Sequence, residues 1–378
     1  MLAPAKTALT TEWRPLASLG DVAAEWRALA RRAAEPNVFY EPAFALSAAP
    51  VLGADVGAIL VWSAAPRRLV GFFPCRIEPR RQGVRPPQLA GWAHHYGPLG
   101  TPLIDGEALD EAATAFLDHV ADSPSLPKLL LMSFLVEDGP VSAALRRAVA
   151  QRGGRIASFG RHPRALLSPH DRAGYLDAAL ASKKRKELRR QRRRLDEDGG
   201  VAFAIASAPD NVASALQDFL AVETRGWKGA AGTAAAQTDA IRQFMLAAVT
   251  GLAHDGQARV ARLSQGGHTI AAGILLRSGA GAWFWKIAHD QAAARASPGV
   301  QLTRDLTDAI LHEPAIAWCD SCATPHHAMI DSIWRERRPM VDWLVGLAPG
   351  FDFTLACLLE GARRGTVAAA RRLRGLRR

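Results

Sequence analysis

Ser297, Pro298 and Gly299 follow closely on a short aromatic run, and together they are the first place where residue types suggest chemistry rather than packing. Residues 282–288, Ala-Trp-Phe-Trp-Lys-Ile-Ala, end at His289 and Asp290, so they read as a buried strand finishing in polar groups. A helix start comes next. Ser297 is expected to supply an N-cap oxygen, Pro298 suits the first helical position, and Gly299 lets a ligand approach the backbone. Val300, Leu302, Leu306 and Ile310 continue at helical spacing. Such a start offers backbone N–H groups and the positive end of the helix dipole to an anion, with Arg295 just before it. An ordinary capped helix carries the same signature.

Four groups are candidates for moving a proton: Glu223, His289, Asp290 and Asp320. Glu223 lies late in an apolar helix with Trp227 and Lys228 just beyond, which suits either a partly buried base or an ion pair with Lys228 or Arg225. His289 and Asp290 suit a turn as well as a catalyst, and Asp320 suits a helix cap as well as a base. Lys286, inside the aromatic strand, points to a ligand or a fixed carboxylate partner, with Phe284 on the face opposite Trp283 and Trp285. Trp227 and Trp334 could wall an acceptor pocket or simply fill the core. His95, in the loop His94-His95-Tyr96, could line a groove or a surface turn. Cys319 and Cys322 with His326 and His327 have the ligand types for zinc, but the spacing of the two pairs is wrong for it, so no metal is expected.

The elements that must hold these groups are legible as an α+β chain. Strands are expected over 13–19, 56–62, 68–77, 88–92 and 128–133, with helices over 21–32, 107–121 and 140–152. A strand at 165–167, a long helix over 175–197 and a strand over 201–206 follow. Helices over 211–225 and 238–254 lead into a three-strand meander over 258–288, with Gly-rich turns at 265–267 and 278–281. The capped helix then crosses over to a strand at 315–319. Similar ingredients in both halves hint at a duplicated unit, although no residue-level repeat is visible.

The chain has 378 residues, 49% of them hydrophobic, which is enough for two domains with cores. It has no apolar run long enough to span a bilayer and no signal-like start, and four cysteines are too few for a disulfide framework, so a reducing cytoplasmic setting is expected. The net charge of +11 is concentrated in two stretches. Residues 183–194 hold nine basic residues and one acidic, and residues 363–378 hold seven basic and none acidic. The remainder is mildly acidic, so the electrostatics belong to two local surfaces. Around the first stretch no aromatic residues interleave for base stacking, so sequence-specific nucleic-acid binding is not expected. The apolar piece 351–359 followed by arginines suits either a solvated tail or an anchor to the anionic inner face of the plasma membrane.

In its order of elements the chain resembles the tandem-domain branch of the GNAT superfamily that contains Fem-type peptidyltransferases and CelD-like acetyltransferases of bacterial polysaccharide loci. The resemblance rests on the basic helix from Ser182, the Glu223-Thr-Arg-Gly-Trp-Lys228 segment, the meander ending at Asp290, the Ser297-Pro-Gly299 turn and Asp320-Ser-Cys322. It implies two tandem GNAT-like domains, each a mixed, largely antiparallel sheet flanked by helices: a degenerate one over 1–164, an acyltransferase domain over 165–346, and a basic tail over 347–378. It also implies transfer of an acyl group, expected to be acetyl, from acyl-CoA to an amine or hydroxyl of a sugar or surface-polymer precursor. The backbone of Ser297, Pro298, Gly299 and Val300, with Arg295, would hold the pyrophosphate. Where the family commonly has an Arg/Gln-x-x-Gly-x-Gly/Ala loop, this chain has Arg295-Ala-Ser-Pro-Gly-Val and keeps one glycine. An aminoacyl-tRNA donor therefore stays open, as does a non-catalytic binding role.

Overall fold

The structure is a computed structural model that describes residues 8–79, 85–168, 172–197 and 199–375, with residues 368–375 described by their backbone alone. The expectation about a signal at residues 1–7, and the end of the basic tail at 376–378, fall outside the described residues.

The chain begins with β1 (Leu9–Pro15), α1 (Ala23–Arg32) and α2 (Pro42–Leu52). The strands β2 (Gly57–Ala64), β3 (Arg67–Glu78), β4 (Gln88–Gly91) and the short β5 (Leu103–Ile104) follow. Next come α3 (Leu109–Asp122), β6 (Leu129–Val136), α4 (Pro140–Gln151) and β7 (Arg155–Leu167). Beyond it lie α5 (Tyr175–Ala179), α6 (Ser182–Glu197), β8 (Val201–Ala206), α7 (Pro209–Arg225), α8 (Trp227–Ala230) and α9 (Asp239–His254). The meander is β9 (Ala258–Gln265), β10 (His268–Ser278) and β11 (Gly281–His289). Then α10 (Pro298–Leu311), β12 (Trp318–Asp320), α11 (Ala328–Asp331), β13 (Glu336–Gly346) and α12 (Asp352–Gly375) complete the chain.

Two compact units share these elements, and they are not consecutive stretches. The first comprises Met1–Asn37, Gly53–His162 and Pro339–Arg378; the second comprises Val38–Leu52 and Pro163–Arg338. Thus the division expected at 164 falls at His162, α2 counts with the second unit, and the chain end counts with the first. The long strands β7 and β13 each belong partly to both units, which a reading by local periodicity has no means to detect.

Each unit repeats one strand pattern. In the first, β1, β2, β3 and β4 pair antiparallel in sequence order, β4 pairs parallel with β6, and β6 pairs antiparallel with β13. In the second, β8, β9, β10 and β11 pair antiparallel in order, β11 pairs parallel with β12, and β12 pairs antiparallel with β7. A parallel pair needs a crossover, and the helices α3 and α10 stand at the corresponding places. Both helices carry apolar residues at three- and four-residue spacing, and those faces are buried: Ala112, Ala113, Phe116, Leu117 and Val120 in α3, and Leu302, Leu306 and Ile310 in α10. Each unit has its own core.

Several local expectations change. The helix expected over 175–197 is broken at Leu180, whose backbone is extended, into α5 and α6. In α6 only Leu188 and Leu195 are buried, two turns apart on one face, while the remaining face is charged. The strand expected at 315–319 is β12, shorter and shifted, so Asp320 is its last residue rather than the residue after it.

Candidate active site

The site is built where two strands part. β11 and β12 pair only through Gly281–Trp318, Ala282–Cys319 and Trp283–Asp320. Beyond Trp283, β11 runs on to His289 while the segment after β12 continues through Ser321 and Cys322, the latter in the left-handed region at φ 53°. The parting leaves a cavity of about 450 Å³ in the second unit. A bulge in β11 opposite Ile274 and Leu275 of β10 leaves Trp285 as the extra, unpaired residue of the ladder.

Trp227, Lys228, Lys286, His289, Ser297, Pro298, Gly299 and Val300 all line this cavity, so eight of the residues singled out in the sequence converge on one wall. The aromatic strand has the expected alternation. Trp285 packs on Phe44 and Phe244, and Phe284 on Trp334 across the opposite face. The segment after β12 supplies the wall that sequence reasoning missed: Ser321, Cys322, Thr324, His327 and Met329. Its visible signal was the Cys319, Cys322, His326, His327 cluster, but those spacings suggested a metal or a plain loop. Among the described residues no group of three or more His, Cys, Asp or Glu could hold a metal ion. Burial pushes the Cys322 thiol well above its ordinary range, with Asp320 adding to the effect, so it stands there as a neutral thiol.

The start of α10 differs from expectation in two ways. Ser297 adopts a left-handed conformation, φ 52° and ψ 50°, and its side chain makes no cap hydrogen bond, so it is not the oxygen cap its type suggested. The N–H groups of the turn are also largely spent. Ser297 donates to the Ala294 carbonyl at 2.9 Å, Val300 donates to the Ser297 carbonyl at 3.0 Å, and Pro298 has no N–H. That leaves Gly299 as the residue of the four whose N–H has no backbone acceptor among the described residues. A Cβ built on Gly299 would sit 3.5 Å from His289 Nδ1 and 3.7 Å from Ile287 Cδ1, ordinary contact distances. Its hydrogen therefore leaves open cavity rather than relieving a clash.

Charge at the cavity is arranged around Glu223. This carboxylate is buried at the end of α7 and accepts from Lys228 Nζ at 2.6 Å and from the Ala235 N–H at 2.8 Å. The ion pair weighed in the sequence is the one formed, and Glu223 lies behind the wall, reaching it through Lys228. Lys286 sits deep in the wall. Burial, then the like charge of Lys228, push its ammonium down to about 8, with Glu223 opposing the shift. His289, half-buried, is also lowered, chiefly by burial, with Asp290 pulling the other way. It is thus neutral near pH 7, the form that accepts a proton.

The remaining candidates do other work. Asp290 caps the short turn after β11, accepting from the Ala292 N–H at 2.9 Å, and pairs with Arg225 at 2.7 Å. Asp320 is fully buried and faces Arg338 at 3.2 Å and Arg164 at 3.6 Å while accepting the Cys322 N–H at 2.8 Å. It pins the turn that opens the cavity instead of lining it. Trp334 is core, its indole N–H donating to Thr307 at 2.9 Å. Arg295 is exposed outside the wall, and its carbonyl accepts from Gln191 of α6 at 3.3 Å. His95 belongs to the first unit, where its ring lies 4.4 Å from that of Tyr96.

Comparison with known proteins bears on this same stretch. The sequence model of the acetyltransferase (GNAT) domain family matches residues 182–328, which run from α6 to the first residue of α11 and include every lining residue but Met329 and Ile330. No curated protein matches the chain in sequence. Among solved structures, FemX superposes with a TM-score of 0.58 at 9% identity over 85% of this chain and 95% of its own. The C-terminal domain of a putative lysylphosphatidylglycerol synthetase from Agrobacterium fabrum gives 0.55 at 15% identity over 90% of this chain and 96% of its own. L-PGS from Bacillus licheniformis gives 0.51 at 12% identity over 88% and 94%. At such identities these likenesses speak for the fold, and the domain match speaks for the chemistry. Residues 182–328 thus match the acetyltransferase (GNAT) domain family, and that match supports an acyltransferase activity for this stretch.

Proposed function

We propose that the chain transfers an acyl group, acetyl in the simplest case, from acyl-CoA to an amine of a sugar or surface-polymer precursor in the cytoplasm. The observation that carries this reading is the cavity between the parted ends of β11 and β12, which lies within the GNAT domain and ends at the first turn of α10. Its volume suits the thioester end of a long ligand. The Gly299 N–H and the helix dipole meet the donor's anionic part at one end. Within the cavity, the amine nitrogen attacks the thioester carbon, the C–S bond breaks, and the departing thiolate takes up a proton. His289, neutral and in the wall, accepts the proton the amine gives up. Lys228, fixed by Glu223, orients the acceptor.

The first unit is read as a degenerate copy of the second. It repeats the strand order and the parallel pair, but near its β4–β6 junction only about 20 Å³ is open, lined by Phe73 and Phe116, whose rings stack at 4.0 Å.

A second reading, an aminoacyl-tRNA donor, is favoured by two observations. Most N–H groups of the α10 turn are already used, and α6 exposes Lys183, Lys184, Lys186, Arg189, Arg193 and Arg194 beside that turn. Thiol release from acetyl-CoA and longer acyl-CoAs across a panel of amino sugars separates the two readings. The CoA reading expects turnover with at least one pair and weaker donor binding in Gly299→Val. Absence of acyl-CoA binding by calorimetry, together with retention of a charged tRNA that weakens steeply with salt, would transfer the assignment to the tRNA donor.

A further inference from the structure

We infer that Trp227 is the platform for the acceptor, and that the acceptor is a ring, a pyranose carrying the amine, laid flat on the indole. The inference rests on the acyl transfer proposed above and narrows its acceptor class. Trp227 lines the cavity and is nonetheless 59% exposed; among the described residues it is the one large apolar side chain of the second unit that stays exposed. A lone exposed aromatic on an ordinary surface needs no explanation. This one stands on a cavity wall, on backbone fixed at both sides, beside the end of the strand that carries His289.

The fixing begins at the turn between α7 and α8. A Cβ on Gly226 would lie 2.7 Å from the His289 carbonyl oxygen, and one on Gly229 would run into the Thr224 carbonyl, so both glycines permit close backbone approach. Arg225, just before, pairs with Asp290 at 2.7 Å and donates to the Thr269 carbonyl at 3.1 Å. After Trp227, Lys228 Nζ donates to Glu223 Oε1 at 2.6 Å and the Thr233 N–H donates to the Lys228 carbonyl at 2.8 Å. Gln237 Nε2 donates to the Gly229 carbonyl at 3.0 Å, and the Ala235 N–H closes the loop on Glu223 Oε2 at 2.8 Å. A tryptophan on such a backbone has little freedom to lose when a ligand covers it. His289 also meets the donor turn, since a Cβ on Gly299 would lie 3.5 Å from its Nδ1. The group that takes the proton thus stands against both the donor turn and the turn that carries Trp227.

The face of an indole carries the negative part of the ring quadrupole. A pyranose offers it a flat set of C–H hydrogens, made slightly positive by the oxygens on the same carbons, and keeps its hydroxyls at the rim. Lys228 Nζ has three donors and gives one to Glu223, which leaves donors for a rim hydroxyl next to the indole. An open-chain amine has no such face and loses more rotamer freedom on ordering. The adenine of the donor is also flat, and the experiment separates it from the acceptor.

Steady-state thiol release with acetyl-CoA compares the 2-, 4- and 6-amino-deoxy forms of glucose with the alditols made from each by reduction, which keep the amine and lose the ring. Each pair is run on the wild-type chain, Trp227→Phe and Trp227→Ala, with melting curves to confirm folding and calorimetry of acetyl-CoA on all three. In the wild type, at least one ring form should have a KM about tenfold below that of its alditol. Trp227→Phe keeps most of that ratio. Trp227→Ala brings it near one by raising the KM of the ring form, while kcat changes by less than about threefold and acetyl-CoA binds as before. Equal KM within every pair, turnover of none of these amines by a chain that binds acetyl-CoA, or a ratio that survives Trp227→Ala overturns the inference. So does weaker acetyl-CoA binding in Trp227→Ala, which would put the donor's adenine on the indole. A wild-type chain that binds no acetyl-CoA is a different outcome. It removes the acyl-CoA reading, and saturation-transfer NMR of the same pairs without CoA then decides the ring question alone.

Discussion

Lys286 weakens the folded state it belongs to, and that makes its role measurable without any substrate. Its ammonium is pushed down to about 8 from the ordinary 10.5, so the folded chain releases that proton more readily than the unfolded one. Below about pH 8 the group is charged in both states and the cost of its setting is felt in full. Between about 8 and 10.5 the folded form is neutral while the unfolded form is still protonated, and the cost fades as pH rises. Lys286→Met should therefore be more stable than wild type at pH 7, by up to about 3 kcal/mol and less where cavity water reaches the amine. The gap should shrink by pH 10. Denaturant midpoints of both chains at the two pH values read this directly; a constant gap would mean that packing, not charge, sets it. Glu223→Gln acts in the opposite sense on the same group, since removing a nearby negative charge lowers the lysine further. The alkaline limb of the turnover profile should move to lower pH, with donor binding spared. In the sequence Lys286 was conspicuous because a lysine rarely sits among tryptophans. The walls from Ser321 to Thr324 were not, because a left-handed Cys322 brings them there and nothing in a loop's composition announces that turn.

Two glycines of the site elements have opposite reasons for being glycine. Gly281 opens β11 where β12 joins it, and a Cβ there would lie 2.4 Å from the Trp318 ring. That ring is fixed between Trp283, 5.0 Å away edge-on, and the Arg338 guanidinium 3.9 Å from its centre, so it has little room to yield. Gly299 meets nothing closer than 3.5 Å. Gly281→Ala should cost about 2 kcal/mol through overpacking. Gly299→Ala should leave stability unchanged or raise it by up to about 1 kcal/mol, since alanine is the better helix former. Thermal melts of the two variants test the contrast, and equal losses would show that Gly299 is structural after all. The helices and the meander were legible because their periods are long and regular. The three-residue β12 has no period to read, and the cap at Ser297 failed because the backbone there turns left-handed while its amides find carbonyls instead. Strands β7 and β13, the longest misread elements, mix buried and exposed residues without strict alternation.

At the scale of the whole molecule, the end of the chain is where the sequence offered two readings and the structure adds a third role. No helix among the described residues is long and apolar enough to cross a membrane. The apolar piece expected as a tail or anchor opens α12, and part of it is spent inside the first unit: Ala356 is buried, and Phe353 and Cys357 pack with it beside Leu129 and Leu344. Glu360, 2% exposed, is clasped by Arg363 at 2.5 Å, by Arg364 at 2.6 Å and by Arg85 at 3.5 Å. Burial works against its charge, but the hydrogen bonds from Arg363 and Arg364 prevail and hold its carboxyl below the usual range. Arg364 also reaches Asp342 at 2.7 Å, and Asp342 in turn accepts the N–H of Phe134, a residue in the left-handed region. A chain ending at Pro349 should thus lose on the order of 3 kcal/mol from the first unit, because it removes the arginines and leaves Asp342 buried with fewer partners. Membrane attraction must be tested without that damage. Phe351 and Leu358 remain exposed, 68% and 65%, at and near the start of the helix whose sequence ends in arginines, and these are the apolar groups an anionic bilayer could hold. Replacing Arg371, Arg372 and Arg374 together by glutamine keeps the clasp at Glu360 and removes three charges, each worth about 1 kcal/mol near an anionic surface. If the tail is an anchor, flotation with vesicles rich in anionic lipid should fall sharply for the triple variant and for Leu358→Asp, while melting temperature is kept. Equal partition of all three proteins would leave α12 as a strap on the first unit and nothing more.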